Sequence, residues 1–169
     1  WNFEIRPVGF RYPDPAPQIL ELLGPLPPGT TVDAWGIAHV PGTYYHFTRM
    51  VHPLVAATTP REIADYPLPD MRPSAFWEHL APEVAALHAR GLAAAGELAV
   101  TIFEVCWQIR GMENLFDDFV HRPEMGEILL DRMTEIRSFQ AEKYAQADVD
   151  VLRLGDDVSQ QRGMLMSPA

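Results

Sequence analysis

The sequence predicts an α/β fold built on a parallel sheet, and three observations carry that prediction. From Ser74 onward helical and strand-like segments follow the order α-β-α-α-β-(α), the pattern of parallel strands joined by right-handed helical crossovers. After Pro123, the residues Met125, Ile128, Leu129, Met133, Ile136 and Phe139 form one apolar stripe, the kind of helix face that covers a sheet. Finally, Val149, Val151, Leu152 and Leu154 lead through Gly155 into Asp156, Asp157, Gln160, Gln161 and Arg162. A buried parallel strand that ends in polar side chains is how α/β enzymes present their sites. A barrel and a doubly wound sheet both satisfy this order.

The elements follow along the chain. The first 73 residues hold most of the 16 prolines, so 1–73 is expected to be a loop-rich segment with short strands, leading into a sheet-forming portion over 74–169. Residues 2–8 alternate enough for one strand, and 31–40 hold another around Asp33-Ala34-Trp35-Gly36. Thr59-Pro60-Arg61-Glu62 is a capping box with proline at the first helical position, which predicts a short helix over 60–65. Ser74 can cap a helix over 75–90, closed by Gly91. Leu98-Ala99-Val100-Thr101-Ile102-Phe103 reads as a buried strand. A helical stretch over 104–121, interrupted near Gly111, precedes a longer helix from Pro123 to about residue 145. The last strand covers 149–154.

Composition narrows the function. With 169 residues, 47% of them hydrophobic, the chain suits one domain with a real core. No apolar run approaches the roughly 20 residues that cross a bilayer, and no leader pattern opens the sequence. A net charge of −10 without a Lys/Arg cluster argues against a nucleic-acid partner, since phosphate neutralisation needs a basic face. A membrane partner is not expected either. The single cysteine, Cys106, forms no intrachain disulfide and fits a reducing, cytoplasmic compartment. Both ends read as cut. The sequence starts at Trp1 inside an apolar-polar run, and Ser167-Pro168-Ala169 would begin a helix, so an internal fragment of a longer protein is expected.

Chemistry is expected at the two strand ends. The first offers Phe103, Glu104, Trp107 and Arg110, and the second offers Asp156, Asp157, Gln160, Gln161 and Arg162. Glu104 and Asp156 facing each other in unequal surroundings would have separated pKa values and act as acid and base. The competing reading places Glu104 in a first helical turn for its dipole and makes Asp156 and Asp157 a turn neutralised by Arg162. Arg110 beside Gly111 can clamp a substrate carboxylate or phosphate, or pair with Glu113 or Asp117 as surface charge. His46 and His52, near Tyr44, Tyr45 and Trp35, match no metal spacing, so no metal ligands are assigned. His39, His79, His88 and His121 read as surface residues, and Cys106 as a packed thiol. No phosphate loop or nucleophile elbow is present.

Several runs resemble a known superfamily. Ile102-Phe103-Glu104-Val105-Cys106-Trp107-Gln108-Ile109-Arg110-Gly111-Met112-Glu113-Asn114-Leu115, then Arg122-Pro123-Glu124, then Ala147-Asp148-Val149-Asp150-Val151-Leu152-Arg153-Leu154-Gly155-Asp156-Asp157, ending at Met166-Ser167-Pro168, are together similar to the uroporphyrinogen decarboxylase (URO-D) superfamily. That superfamily includes decarboxylases and corrinoid-dependent methyltransferases. The likeness covers residues 98–168, and Asp33-Ala34-Trp35-Gly36, His52-Pro53-Leu54 and Tyr66-Pro67-Leu68-Pro69-Asp70 resemble a branch known only as URO-D domain proteins.

The resemblance implies a fold and a chemistry. The fold would be a partial (β/α)8 TIM barrel with an irregular Pro-rich N-terminal segment. An aspartate after the strand ending at Leu154 would lie in the substrate cleft, which makes Asp156 or Asp157 catalytic, with Glu104, Trp107, Arg110, Gln161 and Arg162 binding substrate. The leading expectation is decarboxylation of a porphyrinogen-type small molecule without metal or cofactor. Methyl transfer is the alternative, with zinc and a corrinoid protein as cofactor and partner; a non-catalytic binding barrel is the third. A homodimer is also expected within the resemblance. Glu104-Val105-Cys106 stands where relatives carry small residues, which alters the pocket wall. The arginine-rich decarboxylase segment would precede Trp1 and the methyltransferase's zinc-binding His and Cys would follow Ala169, and the fragment, unable to close a barrel alone, is expected to be inactive by itself.

Overall fold

The structure, a computed structural model, describes residues 4–42 and 48–166. The expected features at residues 2 and 3, at Tyr44, Tyr45 and His46, and at Ser167-Pro168-Ala169 lie outside the described residues. In chain order the elements are β1 (Ile5–Val8), α1 (Pro17–Leu23), β2 (Thr31–Val32), β3 (Ala38–Pro41), β4 (Thr48–Val51), α2 (Pro60–Ala64), α3 (Leu80–His88), β5 (Ala93–Ala99), α4 (Phe103–Arg110), α5 (Met112–His121), α6 (Pro123–Gln146), β6 (Val151–Gly155), β7 (Ser159–Gln160) and β8 (Gly163–Met164). They fall into two units. One comprises Trp1–Tyr12, Asp70–Glu104 and Thr134–Ala169, and the other Pro13–Pro69 and Val105–Met133.

The first unit is built on a parallel sheet in the order β1-β5-β6, with Val8 paired to Gly96 and Leu98 to Leu154. Small residues in β5 set its packing. A Cβ at Gly96 would lie 2.7 Å from the Tyr144 ring, so only glycine lets that ring settle on the strand. The Tyr144 hydroxyl donates to the Glu97 carbonyl at 3.0 Å, and Phe10 meets the ring edge-on at 5.1 Å. Val8, Leu80, Val84, Ala94 and Leu98 complete this core, with Ile136, Phe139 and Leu152 packed against it. Each large aliphatic side chain so buried stabilises the unit by about 1.5–3 kcal/mol.

A barrel is not what these strands build. Among the described residues the parallel sheet has three strands and is open at β1 and β6, and the other sheets are the antiparallel β2-β3-β4 and the β7-β8 hairpin. This overturns the expected partial (β/α)8 TIM barrel. Alternating helices and strands establish parallel pairing, whereas closure requires further strands to cover both edges. Here β6 is an edge, and its Leu154 is 66% exposed.

In the second unit, α1 occupies a stretch read as loop: Pro17 supplies the first helical φ and Gly24, at φ 63°, ends it. The single strand expected over 31–40 is a hairpin. The Asp33 carboxylate accepts the N–H groups of Trp35 and Ile37 at 2.9 and 3.0 Å, an Asx-type turn that outcompetes continuous extension. Both halves of the Thr59–Glu62 capping box form at α2. Ile63, Leu115, Met125, Leu129 and Met133 are buried.

Several expected boundaries move. Ser74 begins a short 3-10 turn and donates its hydroxyl to Glu78 at 2.9 Å, while α3 starts only at Leu80. The strand expected over 98–103 runs over Ala93–Ala99 instead. Its alanines have weak strand propensity but fit beneath the core, and the backbone turns at Val100 with φ 55°. Among the described residues no helix is long and apolar enough to cross a membrane.

Candidate functional site

Ala99 and Gly155 are register partners, so β5 and β6 end level and the segments that follow them leave side by side. Val100 then adopts a left-handed conformation, φ 55°. For a β-branched residue this is strained by about 1–3 kcal/mol and persists only where surroundings impose it. The surroundings do so here. Arg137, 4% exposed, donates to the carbonyls of Val100 and Thr101 at 2.6 and 2.7 Å. Its third nitrogen donates to Gln140 at 2.9 Å and to the Tyr12 hydroxyl at 3.2 Å. The Thr101 hydroxyl accepts the Gly155 N–H at 3.2 Å, and the Thr101 N–H donates to the Gly155 carbonyl at 2.8 Å.

Asp156 completes the arrangement. One carboxylate oxygen accepts the N–H groups of Ile102 and Phe103 at 2.9 and 2.8 Å, and the other accepts that of Glu104 at 2.7 Å. These amides open α4, where a helix leaves its N–H groups without intrahelical partners. An aspartate from the neighbouring strand end thus does the work of a local N-cap, and its charge complements the helix dipole. Glu104 sits in that first turn. Burial pushes its carboxyl above the ordinary value; the backbone N–H of Asp157 opposes the shift, and the charges of Asp157 and Asp156 add to it.

The expected residues therefore divide. Glu104, Asp156 and Asp157 come together at the strand ends, with Asp156 turned to the helix amides and Asp157 exposed. Gln161 and Arg162 lie exposed in the turn between β7 and β8. Trp107 and Arg110 belong to the second unit. There Arg110 and Asp118 are each 1% exposed and paired through two nitrogens at 2.6 and 3.2 Å, while a third nitrogen donates to the Leu54 carbonyl at 2.6 Å. Arg110 is committed to this buried pair, rather than to Glu113 or Asp117. Trp107 meets the His52 ring edge-on at 6.4 Å.

Val100, Thr101, Arg137, Gln140 and Tyr12 were missed from sequence. The one available signal was the placement of Arg137 and Gln140 directly beside Ile136 and Phe139 of the apolar stripe, where a polar side chain needs a partner. Among the described residues no group of three or more His, Cys, Asp or Glu side chains is placed to hold a metal ion. No protein-family model, curated protein or solved structure matches the chain.

A carboxyl whose proton affinity is raised beside a fixed carboxylate suits proton donation, and the neighbouring negative charge suits stabilising the cation that results. That division between two acidic groups in unequal surroundings is the basis of paired-carboxylate catalysis.

Proposed function

We propose that the chain is part of a uroporphyrinogen-decarboxylase-like enzyme, acting on a porphyrinogen-type small molecule at the carboxyl ends of β5 and β6. The observation that carries this reading is the convergence of Glu104, Asp156 and Asp157 on one strained, clamped backbone segment. In such a reaction a pyrrole ring carbon is protonated, the carboxylate on its side chain leaves as CO2, the side-chain carbon takes up a proton in its place, and the ring then gives back the proton it first received. Glu104, with its proton affinity raised by burial, is the proton donor. Asp157 supplies negative charge toward the protonated pyrrole, and Asp156 positions Glu104 through the α4 amides. Cys106, a buried free thiol, suits a reducing cytoplasmic compartment.

The test is CO2 release from uroporphyrinogen by the protein that contains this chain. Glu104→Gln is expected to lower turnover by at least about a hundredfold, the usual scale for a positioned proton donor. Unchanged turnover in that variant refutes the assignment. Methyl transfer from a methylated corrinoid protein, without CO2 release, would instead place the chain with the superfamily's methyltransferases.

A further inference from the structure

The second unit contains a cleft of about 600 Å³ that the strand-end site does not use. Its size falls within the range of small-molecule pockets. Leu22, Pro53, Leu54 and Ala57 give it an apolar lining, and Leu22, 58% exposed, presents apolar surface there. Around this lining stand Glu21, Glu62 and Asp65 against one cation, Arg61. Arg61 is already committed to Asp65 at 3.1 Å.

The walls are held from behind. Arg110 binds the Leu54 carbonyl at 2.6 Å, and the Leu54 N–H donates to the Ile109 carbonyl at 3.0 Å. Arg132 donates to the carbonyls of Ile63 and Tyr66 at 2.7 and 2.6 Å, and the Tyr66 hydroxyl donates to the Trp35 carbonyl at 2.6 Å. The negative edge is durable as well: hydrogen bonds from the Thr58 backbone and from Thr59 hold the Glu62 carboxyl below the ordinary value. A preformed apolar cleft with excess fixed negative charge is complementary to one class of molecule, an organic cation with an apolar body.

We infer that this cleft is a binding site for a small organic ammonium ion whose apolar body lies against Leu22 and Leu54 and whose charge faces Glu21 and Glu62, the two carboxylates that Arg61 leaves uncompensated. The inference is independent of the proposed decarboxylase chemistry. Phenethylammonium is the probe, 2-phenylethanol its neutral counterpart, and methyl NMR shifts of Leu22 and Leu54 the readout.

The cation is expected to bind about tenfold more tightly than the alcohol, within the ceiling of about twenty-fivefold that two exposed carboxylates at up to about fivefold each allow, and the difference should shrink with added salt. Glu21→Lys is expected to abolish most of that preference while leaving alcohol binding and the melting temperature unchanged. Equal affinity for the two probes, no shift up to the solubility limit, or a cation preference that survives Glu21→Lys would each overturn the inference.

Discussion

Replacing Asp156 by alanine removes the acceptor for three backbone N–H groups, those of Ile102, Phe103 and Glu104, bonded at 2.9, 2.8 and 2.7 Å. A hydrogen bond to a charged group contributes about 1.5–3 kcal/mol net when buried. Asp156 is partly exposed, so water can replace some of the lost bonds, and the loss is reduced accordingly. An overall destabilisation of about 2–4 kcal/mol is expected for the folded unit. Asp157→Ala provides the contrast: its side chain is exposed, and a change of no more than about 0.5 kcal/mol is expected. Urea unfolding of both variants, followed by tryptophan fluorescence, measures the difference, and amide exchange at residues 102–104 localises it. Equal losses in the two variants would refute the argument that Asp156 alone anchors the α4 start.

Three further outcomes follow from the same packing. The raised Glu104 carboxyl makes the folded state bind its proton more tightly than the unfolded chain does, so its contribution is most favourable at low pH and is lost as pH rises from about the ordinary value of 4.5 through the folded value. Glu104→Gln should remove that part of the stability loss, which paired denaturation curves across this pH window would show. Asp118→Ala leaves Arg110 buried without its carboxylate and is expected to cost about 3–5 kcal/mol, read as a lowered urea midpoint. Gly36→Ala meets two obstacles: φ is 82°, and the new Cβ would run into the Tyr66 hydroxyl and Ile19. A loss of about 2–4 kcal/mol is expected, and a melting temperature equal to that of the unsubstituted protein would contradict it.

The same residues show how much was legible beforehand. The Thr59–Glu62 capping box and the Gly111 break between α4 and α5 are local signals, decided by hydrogen bonds within a few residues, and the structure carries both. The meeting of Glu104 with Asp156 could be anticipated because parallel strands place their carboxyl ends together. What could not be anticipated was the direction of Asp156. Its partners are amides more than fifty residues away in sequence, and no local pattern encodes them.

The fate of Arg110 was hidden for a similar reason. Beside a glycine it reads either as a substrate clamp or as surface charge paired with Glu113 or Asp117, yet Asp118 and the Leu54 carbonyl enclose it. Only packing reveals that its charge is already used.

By itself, then, the sequence determined the parallel α/β character, the long apolar face of α6, the starts of α2 and α6 and the acidic strand ends, because these depend on periodicity and short-range bonding. Tertiary structure alone decided that the parallel sheet stays open at β6, that Val100 is clamped in a strained turn by Arg137, and that the two adjacent aspartates differ, Asp156 fixed to the α4 amides and Asp157 left to solvent. Those outcomes depend on which distant backbone groups lack partners, and a polar group is drawn to wherever such a group would otherwise be left unsatisfied.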